Sequence, residues 1–134
     1  MPLLAYFVMP PVPPLKPVEW MGSTREDLRG FPESVQDVMG YALYLAQRGA
    51  HPPEAKRLKG ELAGLIELVD DFDGETYRAV YTVKLRGTVY VLHVFQKKST
   101  RGIATPRREI ALIKERYRRA RAHHAARYGA EEER

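Results

Sequence analysis

Apolar and polar residues alternate most regularly between Thr76 and Leu85. Tyr77, Ala79, Tyr81 and Val83 fall on one face of a strand, and Arg78, Val80, Thr82 and Lys84 on the other. Val89–Phe95 is apolar at nearly every position, the pattern of a central strand. A third run, Leu65–Val69, precedes Asp70-Asp-Phe-Asp-Gly74, which predicts a reversal, and Arg86-Gly-Thr88 predicts a tight connection. Three antiparallel strands follow, and a short alternating run, Val18-Glu-Trp20, predicts a fourth ahead of them.

Helical spacing governs the other stretches. Ser23 or Thr24 can cap a brief helix with Glu26 and Asp27 in its first turn, where they meet the positive end of the helix dipole. Gly30-Phe-Pro32 ends it. Pro32 opens a second helix in which Val35, Val38, Met39, Ala42, Leu45 and Ala46 recur at three- and four-residue intervals, with Gly49 as the stop. Lys56-Arg-Leu-Lys-Gly60 reads as a turn. Thr105-Pro106 starts a last helix running to Arg121 or beyond, with Ile110, Ala111, Ile113 and Tyr117 as its apolar positions. The predicted order is strand, helix, helix, three antiparallel strands and C-terminal helix, an α+β layer with helices on one face of a four-stranded sheet.

Composition adds boundaries. The chain has 134 residues, enough for one core and hardly for two. Residues 1–15, rich in proline and without periodicity, form a flexible extension in this reading; 16–121 is the domain and 122–134 a charged tail. With no cysteine, disulfides and thiol chemistry are excluded and a cytoplasmic setting is expected. Leu3–Met9 is too short for a membrane span and lacks the basic flank of a signal sequence. Between Lys97 and Arg121 ten Lys or Arg face Glu109 and Glu115, a local balance of +8 in a chain of +5, so the remainder carries −3. A basic end on a mildly acidic body predicts an anionic partner such as nucleic acid, or simply a solvated helix face.

Several strings in order resemble one family. Lys16-Pro-Val-Glu-Trp20, the Lys59-Gly60 turn, Asp73-Gly-Glu-Thr-Tyr-Arg-Ala-Val-Tyr81, Val89-Tyr-Val-Leu-His-Val-Phe-Gln-Lys-Lys-Ser99 and Gly102-Ile-Ala-Thr-Pro106 are similar to the phage-derived, HigB-like subgroup of the RelE/HigB toxins. The resemblance covers about residues 16–121. It implies a RelE-like (microbial RNase-like) fold and a type II toxin–antitoxin toxin that cleaves mRNA on the ribosome without metal or other cofactor. It also implies a helix-turn-helix, HigA-like antitoxin, operator DNA contacted only through that antitoxin, and no membrane partner. The alternatives are a non-catalytic RNA- or ribosome-binding module and a protein-interaction module of phage origin.

Metal-free RNA cleavage by a 2′-hydroxyl needs a proton acceptor, cations for the charge gathering on phosphorus, and a proton for the leaving oxygen. Arg78 is the first candidate cation, since a guanidinium grips two phosphate oxygens; the alternative is a cross-strand partner for Glu67. Lys97 and Lys98 end the central strand, where one of them can enter a site, or both can serve as edge-blocking charges. His93 suits acid–base work by its titration range, but a lone histidine on an apolar central strand is more often a satisfied core residue. Tyr77 and Tyr81 fall on the core face; at an edge, a phenol such as that of Tyr81 can donate a proton. Lys59, Arg101, Arg107 and Arg108 are candidate RNA contacts, each also explicable as a turn or surface cation. His123 and His124 diverge on a helix and predict no metal site.

Overall fold

The computed structural model describes residues 14–97 and 105–129. The extension up to residue 13, residues 98–104 and residues 130–134 lie outside them. The described elements are β1 (Val18–Trp20), α1 (Thr24–Arg29), α2 (Glu33–Gln47), β2 (Ala55–Arg57), β3 (Ile66–Phe72), β4 (Glu75–Thr82), β5 (Val89–Lys97) and α3 (Arg107–Tyr128). The α+β class is as expected. The sheet has five strands rather than four, in the order β1-β5-β4-β3-β2. β1 runs parallel to β5 and the other neighbours are antiparallel. The extra strand is β2, which overlaps the start of the expected Lys56–Gly60 turn. It is three residues long and exists only by pairing Ala55–Arg57 against Leu68–Ile66, so periodicity could not reveal it.

The β3–β4 reversal is tighter than expected. Asp70, Asp71 and Phe72 pair with Tyr77, Thr76 and Glu75, leaving Asp73 (φ 52°) and Gly74 (φ 79°) to turn the chain. Two successive left-handed residues match the twist of the flanking strands, which is why Asp-Gly suits this position. Ser23 does precede α1, but its hydroxyl donates to the Asp27 carboxylate at 2.8 Å and makes no side-chain bond to the backbone.

Helices cover both faces of the sheet, not one. On the first face α2 buries Val35, Met39, Ala42, Leu43 and Ala46 against Ile66, Leu68, Tyr77, Ala79, Tyr81, Val91 and Val94, with Leu28 of α1 beside them. Met39 is fully buried there. Met39→Ala is expected to cost about 2–5 kcal/mol, read as a lower urea midpoint at unchanged slope.

On the second face α3 packs Ile113 and Ala120 against Val80, Tyr90, Leu92 and Phe95, with Leu62 and Leu65 closing the edge. α3 reaches Tyr128, so residues 122–128 belong to the packed body and not to a tail. The reason is polar as well as apolar. Buried His124 donates from Nε2 to the Arg86 carbonyl at 2.8 Å, and His123 Nδ1 meets the Tyr90 hydroxyl at 2.7 Å. The two histidines bond to different partners, yet both rings lie edge-on to Tyr90, at 5.7 and 6.2 Å. Among the described residues no group of three or more His, Asp or Glu side chains could hold a metal, and no helix is long and apolar enough to cross a membrane.

One irregularity decides the site. Val80 pairs with His93 but Tyr81 pairs with Val91, so β5 carries one extra residue, Leu92. Such a bulge shifts the alternation by one position. Leu92 and His93 therefore both serve the α3 face, whereas an unbroken strand would have turned His93 toward α2.

Candidate active site

Strand alternation and register gather the first group. Arg78 stands opposite Phe95, Thr76 opposite Lys97, Glu67 opposite Val80 and Lys56 opposite Glu67. All project from the face that α3 covers only in part. Arg78 Nη1 donates to Glu67 Oε1 at 2.8 Å, the Arg78 side chain being 18% exposed and that of Glu67 only 2%. A carboxylate so buried is tolerable only when paired. The bond takes one of the five guanidinium N–H groups; Arg78 Nε is buried without a partner among the described residues. Lys97 is buried too. Burial first, then the charges of Arg78 and Lys56, push its ammonium below the usual lysine range, against the pull of Glu67. Lys56, by contrast, is exposed. Three cations around one buried carboxylate leave this part of the face positive, the sign that a phosphodiester selects.

The second group lies along the same face of β5. His93 stacks on Phe95, with ring centroids 4.7 Å apart. Its Nε2 meets Glu109 Oε2 at 3.1 Å, and its Nδ1 meets Arg116 Nη1 at 3.1 Å. Because arginine can only donate, Nδ1 accepts and the proton sits on Nε2, pointing at the carboxylate. Arg116 also donates from Nη1 to the Leu92 carbonyl at 3.2 Å, tying the bulge to α3. Its guanidinium lies over Gly22 (φ 58°), where an added Cβ would come within 2.7 Å of Arg116 Nη2. Both the backbone conformation and the close approach call for glycine.

Burial is the main reason why His93 titrates below the usual histidine range; the hydrogen bond and charge of Glu109 oppose it, the charge of Arg116 reinforces it, and Asp27 opposes it weakly. Protonation would set a second N–H against the Arg116 donor. The unfolded chain therefore takes up this proton first as pH falls. Stability conferred by neutral His93 is complete above the unfolded value of about 6.5 and is lost toward the lower folded value. Thermal midpoints measured from pH 7 to pH 5 are expected to fall more steeply for the native chain than for His93→Gln. Equal slopes would show that another group dominates.

The remaining candidates divide plainly. Tyr77 and Tyr81 are buried with α2 on the opposite face from Arg78, and burial pushes the Tyr81 phenol up to about 12. Neither joins the Arg78 group. Lys59 is exposed just before the single 3-10 turn Gly60–Leu62. Glu61 in that turn accepts from Arg107 and from Lys114 at 3.2 Å, and these bonds hold its carboxyl down to about 2. Arg107 thus pairs with Glu61 at the surface, its side chain 76% exposed. Arg108 is exposed on the first turn of α3. Lys98 and Arg101 lie outside the described residues. Sequence reasoning missed Lys56, Glu109 and Arg116 as site residues, and named Glu67 only as a partner for Arg78. The seven-residue spacing of Glu109 and Arg116, two turns on one helix face with Ile113 between, was the available signal.

Residues 26–118 match the family described as phage-derived protein Gp49-like. The chain belongs to this family. It is a RelE/toxin-like family, in agreement with the strings that resemble the phage-derived RelE/HigB subgroup. A solved chain from the toxin–antitoxin complex RelBE2 of Mycobacterium tuberculosis shares 24% identity and aligns over 63% of this chain and 100% of its own, with a TM-score of 0.45. At that identity and score the likeness carries no functional weight. No curated protein sequence matches significantly.

Proposed function

We propose that this Gp49-like chain is the toxin of a type II toxin–antitoxin pair, a metal-independent endoribonuclease that cuts mRNA on the ribosome and is silenced by a helix-turn-helix, HigA-like antitoxin. The supporting observation is the partly uncovered sheet face on which Arg78, Lys97 and Lys56 surround buried Glu67. Point charges at Lys56 and Lys97 attract the RNA backbone. The Arg78 guanidinium, held by Glu67, meets the charge that develops on the phosphoryl oxygens during attack by the 2′-hydroxyl. The ribosome supplies orientation: a small site with no deep cleft gains from a scaffold that presents mRNA in one register. The antitoxin would act by covering this face, and operator DNA would be reached only through it.

Expression of the chain alone is expected to arrest growth and to create new mRNA 5′ ends, both prevented by co-expression of its antitoxin. Normal growth at confirmed soluble expression, without new 5′ ends, would remove the reading. The Arg78–Glu67 pair also favours a second reading, a binding module in which the guanidinium is chiefly a sheet residue. That reading predicts ribosome association with intact mRNA.

A further inference from the structure

The Arg78 group supplies cations and a buried carboxylate but no accessible proton acceptor, since the Glu67 side chain is 2% exposed and engaged by Arg78. Other carboxylates share this face, and of these Glu19 is at the β1 edge, paired with Arg127 of α3 at 3.4 Å. Asp71 lies at the exposed hairpin end, where it accepts the Thr76 hydroxyl at 2.8 Å and nothing fixes its direction toward Arg78. Glu109 differs: its side chain keeps 18% exposure while His93 holds one of its oxygens. The holding is itself directed. Arg116 forces the His93 proton onto Nε2 by donating to Nδ1, anchors on the Leu92 carbonyl and reaches the Ser23 hydroxyl at 3.5 Å. Glu109 is linked to the cations through two residues of the same face: His93 stacks on Phe95, and Phe95 is the cross-strand neighbour of Arg78.

We propose that Glu109 is the proton acceptor for the attacking 2′-hydroxyl, and that His93 and Arg116 are positioning residues that act through it. This rests on the nuclease reading above. In the step, the 2′-O–H proton passes to the free oxygen of Glu109 as the 2′-oxygen bonds to phosphorus. The bond from phosphorus to the 5′-oxygen breaks, and that oxygen leaves as an alcohol with a proton from water. The products are a 2′,3′-cyclic phosphate and a 5′-hydroxyl end, and Glu109 returns its proton to solvent. His93 stays neutral throughout, because both of its nitrogens are occupied; its work is to hold the carboxylate, the reverse of the serine-protease triad, in which the carboxylate orients a histidine base.

The test is single-turnover cleavage on purified ribosome–mRNA complexes with binding measured in parallel. Glu109→Gln keeps an oxygen to accept from His93 Nε2, so the fold contact survives while the acceptor is lost. Its rate is expected to drop by about 10²–10⁴-fold at unchanged affinity. Glu109→Ala is expected to recover part of the loss when formate or acetate is added, the more basic anion acting better; a merely structural role would not respond in that order. Arg116→Lys and His93→Gln are expected to show smaller drops without carboxylate rescue. Asp71→Asn should cut normally. A native chain that cuts alongside a Glu109→Gln variant that cuts as fast overturns the assignment alone, as does loss of cleavage in Asp71→Asn instead. A native chain that binds and never cuts removes the nuclease reading, and this one with it.

Discussion

Replacing Arg78 by alanine is expected to lower the single-turnover cleavage rate by roughly a hundredfold or more while ribosome binding changes little. A guanidinium matched to charge that appears only in the transition state contributes to rate and not to ground-state affinity. The same substitution has a second consequence that must be separated from the first. Glu67 is buried and accepts from Arg78, so removing Arg78 strands an uncompensated carboxylate, at a cost of about 3–5 kcal/mol. Arg78→Ala/Glu67→Gln removes the stranded charge. The double variant is therefore expected to regain thermal stability without regaining rate. A double variant that folds and cuts normally would make Arg78 a sheet residue, and a single variant that cuts normally at saturation would do the same. Arg78→Lys is the intermediate case: it keeps the charge but loses the fork, and so should hold Glu67 while cutting slowly.

The strands were legible because their periodicity is strong. Tyr77, Ala79 and Tyr81 on one face of β4 already implied that Arg78 leaves the sheet on the other. One inference failed for a reason that the sequence itself contained. Val89–Phe95 is apolar on both faces, which requires cover on both sides, yet the helices were expected on one; α3 supplies the second cover through Ile113 and Ala120. The basic stretch from Lys97 to Arg121 reads as a footprint for nucleic acid or as a solvated helix face, and several of its cations pair with carboxylates at the surface. Arg107 and Lys114 share Glu61, and Arg118 and Arg119 share Glu115. The cations of the candidate site come instead from separate strands, at positions 56, 78 and 97, and only register brings them together. His93 was the hardest to place. Its direction depends on the single extra residue at Leu92, and no local propensity marks which strand of a pair will bulge. Glu109 and Arg116 were visible as a pair spaced for one helix face, but in a helix so rich in charge that spacing looks the same as a solvated surface.

Lys56 and Lys97 are expected to fail differently from Arg78. They flank the Arg78–Glu67 pair as point charges, Lys56 at the exposed rim and Lys97 buried behind it, and neither makes the forked contact that reads transition-state geometry. Their contribution is attraction to the RNA backbone, which acts equally before and during reaction. For single-stranded RNA each phosphate contact adds about 0.7 to the slope of log K against log salt. Lys56→Ala/Lys97→Ala is therefore expected to flatten that slope by about 1.4 and to weaken binding roughly tenfold near 0.15 M salt, while the rate at saturating enzyme stays close to normal. Binding measured at two salt concentrations, with cleavage followed at saturation, separates affinity from rate. An unchanged salt slope would place the RNA backbone elsewhere on the protein, and a collapse in saturated rate at full affinity would move Lys97 from attraction into the chemistry.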